Sequence, residues 1–119
     1  MTPSPFEAQV RQHDGVAVID LHGEINGNAE DVLDKAYAQA ADLQPSDILL
    51  NFAGVDYINS TGIALIVGLL AQARKSGRRL LTCGLSPHYV EIFKITRLSD
   101  FMSIHPDEAS ALAETKIKA

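Results

Sequence analysis

A chain of 119 residues, 46% hydrophobic and 21% charged, has room for one core and enough apolar material to fill it. That composition argues against wholesale disorder, and a formal net charge of −5 argues against nucleic acid as a partner, because an acidic surface repels a phosphate backbone. The single cysteine, Cys83, leaves no internal disulfide framework to build on.

Met1 to Pro5 reads as a loose tail, with two prolines and none of the basic and apolar regions of a signal peptide. The longest apolar stretch, Ile63 to Ala71, is about half of the ~20 residues a membrane span needs. No membrane insertion and a cytoplasmic location are therefore expected. Phe6 to Gln12 predicts a strand, His13-Asp14-Gly15 a turn, and the β-branched run Val16 to Leu21 the second arm of a hairpin. Gly23 to Asn28 reads as a loop, with Asn28 as the cap of a helix over Ala29–Leu43. Val32, Leu33, Ala36, Tyr37, Ala40 and Leu43 carry its apolar period, and Pro45 lies just beyond its end.

Asp47 to Phe52 predicts a short strand and Ala53 to Asn59 a connection. A second helix follows from Ser60 to Lys75, ending at Gly77, with Ile63, Ile66, Val67 and Leu70 as its core stripe. Leu65 and Leu69 widen the apolar surface, so this helix is expected to be largely buried, with Gly68 admitting a close neighbour. Arg74, Lys75, Arg78 and Arg79 read as a solvated helix end. Arg78 to Cys83 predicts a strand with a buried, inert thiol. Ser86-Pro87 opens a third helix to Ile95, Phe101 to Ile104 a last strand, and Pro106-Asp107-Glu108 a helix to Thr115. The order is β-β-α-β-α-β-α-β-α. It implies an α/β fold with an N-terminal hairpin followed by parallel strands, one mixed sheet packed with about four helices, in a single domain over residues 1–119.

The segment Val55-Asp56-Tyr57-Ile58-Asn59-Ser60-Thr61-Gly62 is the most informative. A helix that starts at Ser-Thr-Gly leaves its first backbone N–H groups without partners, and these together with the helix dipole favour an anion. A hydroxyl at that point is well placed to carry a phosphoryl group, which brings about −1.5 to −2 charges and can block a docked partner without refolding the domain. The plainer alternative makes Ser60 or Asn59 an N-cap and Gly62 a packing residue.

Ile58-Asn59-Ser60-Thr61-Gly62-Ile63-Ala64-Leu65 resembles the Asp-Ser-Ser/Thr-Gly-Leu signature of STAS domains, specifically of the bacterial anti-sigma factor antagonists. Leu21-His22-Gly23-Glu24-Ile25 is similar to that family's Leu-x-Gly-Glu-Leu, and Asp47 to Phe52 to its third strand. Cys83-Gly84-Leu85-Ser86-Pro87 with Ile92, Phe93 and Leu98 resembles its next strand and short helix, so the resemblance covers nearly the whole chain. It implies a protein-binding switch. Ser60 would be the phosphoacceptor, and the partner an anti-sigma factor serine kinase that supplies ATP, magnesium and catalytic residues. Unphosphorylated, the chain would bind that partner and free a sigma factor; phosphorylation would break the complex and a phosphatase would restore it. No cofactor of the chain's own is implied. Asn26, Asp56, Asn59, Thr61 and Gly62 would lie near the phosphosite or the partner. Asn59 and Asn26 stand where the family commonly has acidic residues, which keeps hydrogen-bonding capacity and removes charge.

Two other classes remain. An enzyme is disfavoured: the nucleophile elbow Gly-x-Ser-x-Gly lacks its first glycine, and His13, His22, His88 and His105 fall in no triad or metal motif. A STAS scaffold, a subunit of a transport or stress-signalling complex that uses the same surface without phosphorylation, is kept open by the two asparagines.

Overall fold

The computed structural model describes residues 5–116, so most of the expected tail lies outside the described residues. Strands β1 (Glu7–His13) and β2 (Val16–Ile25) form the expected antiparallel hairpin, closed by Asp14 and Gly15, whose φ angles of 47° and 80° suit a tight primed turn. Helix α1 (Glu30–Asp42) leads to β3 (Asp47–Ile58), α2 (Ser60–Lys75) to β4 (Arg79–Cys83), and α3 (Pro87–Ile95) to β5 (Ser103–His105) before the closing helix α4 (Glu108–Thr115). The strands lie in sequence order, β1-β2-β3-β4-β5, and every pair after the hairpin is parallel.

That order explains the layers. Right-handed crossovers that always advance in one direction put their helices on one face of the sheet. Alternate strand residues therefore divide between two cores. Ala17, Ile19, Leu21, Ile48, Leu50 and Phe52 face α1, α2 and α3, where they meet Leu33, Ile66, Leu69 and Phe93. Val16, Val18, Leu49, Leu81 and Cys83 face the other way and are covered by Ala111 and Leu112 of α4. Phe93 meets Phe52 edge to face, with ring centroids 5.9 Å apart, which fixes α3 against β3. Among the described residues no helix is long and apolar enough to cross a membrane.

Several expected boundaries move. Gly23–Ile25 and Ala53–Ile58 are strand rather than loop, because β2 and β3 keep pairing through two register shifts out to Ile25↔Ile58. The first turn after β2 is a 3-10 turn, Gly27–Ala29, whose cap is Asn26; Asn28 is not a cap but the donor to it, and α1 starts at Glu30 with Ala29 at its N-cap and no side-chain cap bond. Val67 leaves the core stripe, being 46% exposed, and Gly68 faces open space instead of a neighbour, so α2 is buried on one side only. The chain around Leu98–Asp100 is a second 3-10 turn, which exposes Phe101 and delays β5 to Ser103. Of the basic run, Arg74 and Lys75 are exposed, but Arg78 donates to the Pro45 carbonyl and Arg79 pairs with Asp47 and Glu114. Cys83 is buried in β4 as expected.

Candidate functional site

The site is built where two adjacent parallel strands end. Beyond β4, strands β2 and β3 run on as a pair, and their last residues, Ile25 and Ile58, face each other. The chain leaves each strand with a different exit: β2 turns through the 3-10 turn, and β3 enters α2 after the single residue Asn59. Asn59 is extended, with φ −89° and ψ −178°, and its backbone N–H donates to the Ile25 carbonyl at 3.1 Å. This bond ties the start of α2 to the end of β2.

Asn59, not Ser60, is the N-cap. Its side-chain oxygen accepts from the Gly62 N–H at 2.8 Å, and its carbonyl accepts from Ile63 at 2.9 Å. Gly62 is required by packing: a Cβ there would run into the Ile25 carbonyl oxygen and crowd the Ile58 methyl group. Both parts of the plainer alternative therefore hold for Asn59 and Gly62. They do not hold for Ser60, which is exposed and free of the capping task. As the first and second residues of α2, Ser60 and Thr61 present backbone N–H groups that lie before any intrahelical acceptor. With no acidic residue in that first turn, the positive end of the helix dipole is uncompensated from within α2.

The neighbouring turn completes the surroundings. The Asn26 amide donates to Glu24 Oε2 at 2.5 Å, while its oxygen accepts from the Asn28 N–H at 2.8 Å. Asn26 thus holds the 3-10 turn in shape, and a Cβ on Gly27 would sit 3.6 Å from the Thr61 methyl, in ordinary contact. Asn26, Asn59, Ser60, Thr61 and Gly62 are brought together in this way. Asp56 and Tyr57 stand on the last exposed stretch of β3, and Tyr57 is 51% exposed, so it is surface and not core. Glu24, opposite Tyr57 in the β2–β3 register, lies in the Leu-x-Gly-Glu-like motif but was not read as a site neighbour; the register of the strand extension and its bond from Asn26 place it there. Tyr89, also unforeseen, buttresses the site from α3: its hydroxyl accepts from the Ile58 N–H at 2.8 Å.

The four histidines lie elsewhere, in β1, β2, α3 and β5. His105 meets Glu114 at 2.6 Å and His88 packs on the Tyr89 ring. Among the described residues, no group of His, Cys, Asp or Glu is arranged to hold a metal ion.

The comparisons with known proteins agree with this architecture. The STAS domain model matches residues 7–111. The anti-sigma-B factor antagonist of Bacillus subtilis is 30% identical over 99 residues, which make up 83% of this chain and 90% of that one. Among solved structures, an anti-sigma factor antagonist from Mycobacterium paratuberculosis has a TM-score of 0.82 at 20% identity, over 94% of this chain and 95% of its own. The Bacillus cell fate determinant SpoIIAA in its phosphorylated form has a TM-score of 0.69 at 21% identity, over 91% and 98%. The family match runs from the first residue of β1 past the last of β5, and on that ground the chain belongs to the STAS domain family, where it is similar to bacterial anti-sigma factor antagonists.

Proposed function

We propose that this chain is an anti-sigma factor antagonist that works as a phosphorylation-controlled binding switch, with Ser60 as the acceptor. The observation that carries this is the division of labour at the start of α2: Asn59 caps the helix and leaves the exposed Ser60 hydroxyl available. In the unphosphorylated state the surface around Ser60, with Thr61, Asp56, Tyr57 and Asn26 at its edge, docks an anti-sigma factor kinase and so releases a sigma factor. The partner brings ATP. Ser60 Oγ attacks the γ-phosphorus, the bond to the β-phosphate oxygen breaks, ADP leaves, and the hydroxyl proton passes to a base on the partner. The new phosphoryl group rests over the free N–H groups of Ser60 and Thr61, where the helix tolerates it. The same charge meets the docked protein face and expels it. A phosphatase reverses the step.

The neutral Asn59 and Asn26 fit this scheme by keeping their hydrogen bonds while adding no charge against the phosphoryl group. The test compares wild type, Ser60→Ala and Ser60→Glu for binding to the cognate anti-sigma factor, with phosphopeptide mapping of the wild type. Binding by the first two and a loss of about tenfold or more for Ser60→Glu is expected, because a charge buried unpaired at an interface costs at least that. Equal binding by all three, with Ser60 unmodified in cells under growth and stress, would favour the scaffold alternative instead.

A further inference from the structure

Away from Ser60, the other end of α2 borders a groove of about 520 Å³ between that helix and the 3-10 turn Leu98–Asp100. Val67 and Phe101 stand over it, 46% and 54% exposed, and Leu70 and Leu98 lie deeper. A large aromatic ring half in water beside an exposed valine is apolar surface that water hydrates poorly. The two charged side chains that line it are both arginines. The Arg74 guanidinium lies 5.0 Å from the centre of the Phe101 ring and makes no ion pair among the described residues. Arg97 is engaged by Asp100 through its Nε only, at 2.8 Å, which leaves its terminal nitrogens to donate elsewhere. In a chain of net charge −5, the groove is lined by two arginines, Arg97 partly offset by Asp100 and Arg74 without an ion pair among the described residues, so its charge is positive on balance.

The exposed face of α2 leads to this groove. Ser60, Ala64, Val67, Ala71 and Arg74 are all exposed and follow one another at helical spacing. Ala64, Gly68 and Ala71 keep that face low, so a second backbone can lie along it. From Ser60 to Arg74 the stripe is about 21 Å long.

We infer that this groove is a second docking site, which takes an acidic amphipathic helix of a partner protein by seating an apolar side chain between Val67 and Phe101 and pairing carboxylates with Arg74 and Arg97. The ring and the valine supply the contact area. The arginines supply orientation and reject basic or neutral helices of the same shape. The inference goes beyond the Ser60 switch and does not depend on it, since neither arginine nor either apolar residue belongs to the first turn of α2.

The experiment uses the full chain, labelled with ¹⁵N, and two synthetic helical peptides. Both carry leucines at i, i+3, i+4 and i+7; one has glutamates on the flanks, the other lysines at the same positions. Backbone shifts at Val67, Ala71, Arg74 and Phe101 with the glutamate peptide, absent with the lysine peptide and weakened about fivefold or more by Arg74→Glu and by Phe101→Ser, are the expected result. Both substituted side chains are exposed, and an unchanged spectrum elsewhere shows that the fold survives. Binding of both peptides alike, shifts located elsewhere, or no shifts at all would overturn the proposal. So would concentration-dependent shifts at the same residues without peptide, which would make the occupant a second copy of the chain. Ser60→Glu should bind the glutamate peptide as wild type does, so failure of the groove and failure of the switch are separate outcomes.

Discussion

At the scale of the residue, the start of α2 depends on one glycine and one asparagine. Gly62 lies too close to the Ile25 carbonyl to carry a side chain, so Gly62→Ala must push α2 away from β2. A loss of about 1–3 kcal/mol in urea unfolding is expected, the usual cost of overpacking. Gly68, in the same helix, meets nothing within 4 Å, and Gly68→Ala should instead stabilise by about 0.5–1 kcal/mol through helix propensity alone. Asn59→Ala removes the cap and should cost about 1 kcal/mol, whereas Asn59→Asp keeps the acceptor, adds a negative charge to the helix start and should be neutral to stabilising. Asn59→Asp also changes the charge beside the proposed acceptor Ser60, so an altered rate of transfer with an unchanged fold would separate the two roles of that position.

At the scale of the element, a charged clasp joins the hairpin to α4. Arg11 on β1 donates to Asp20 on β2 at 2.6 and 2.9 Å and to Glu108 on α4 at 2.7 Å. The Arg11 bonds, helped by Asn51, hold the Asp20 carboxyl below its ordinary range despite partial burial. A carboxyl depressed in the fold stabilises it above the unfolded value, near pH 4, and loses that contribution as pH falls through the folded value. Arg11→Met removes the main cause, so the variant should lose less stability than wild type between about pH 5 and about pH 2, by an amount on the order of 1 kcal/mol because the Arg11 side of the pair is open to solvent. Urea midpoints across that range give the comparison.

The same scale shows what the sequence made legible. The helices were readable because each carries its apolar period, and two carry clear opening signals: Ser86 before Pro87 caps α3, and Asp107 caps α4, whereas the cap read for α1 at Asn28 was misplaced. The far halves of β2 and β3 were not. Gly23, Gly54 and the polar residues around them look like loop material, and only pairing between two distant segments makes them strand. Gly54 shows the reason, since a Cβ there would collide with the His22 ring across the ladder. The candidate site was legible as a local motif through Ser60 and Gly62. Its partition, with Asn59 as cap and Asn26 braced by Glu24, was not, because several neighbouring polar residues qualify equally until the backbone chooses among them.

At the scale of the whole molecule, the sheet has one heavily covered face and one lightly covered face. Three helices pack on the side that bears α2, and among the described residues α4 alone shields Val16, Val18, Leu49, Leu81 and Cys83 on the other. Leu112 is the larger of the two α4 side chains there, and Leu112→Ala should cost about 2 kcal/mol, the low end for a leucine truncation, because the site lies at the rim of the core. Chemical denaturation followed by circular dichroism measures it.

Burial also pushes the Cys83 thiol up to about 11, with the carboxylates of Glu108, Asp107 and Asp20 adding to the effect. The sulfur is therefore protonated and shielded while α4 stays down, and it can meet an aqueous thiol reagent only when that helix lifts. The chain so carries a built-in clock for the opening of its thin side, on the face opposite Ser60. Timed alkylation with and without a protein bound at α2 would show whether grip on one surface is felt through the sheet on the other. A slower clock in the complex would mean that both faces open as one unit, and an unchanged clock that α4 comes and goes on its own account.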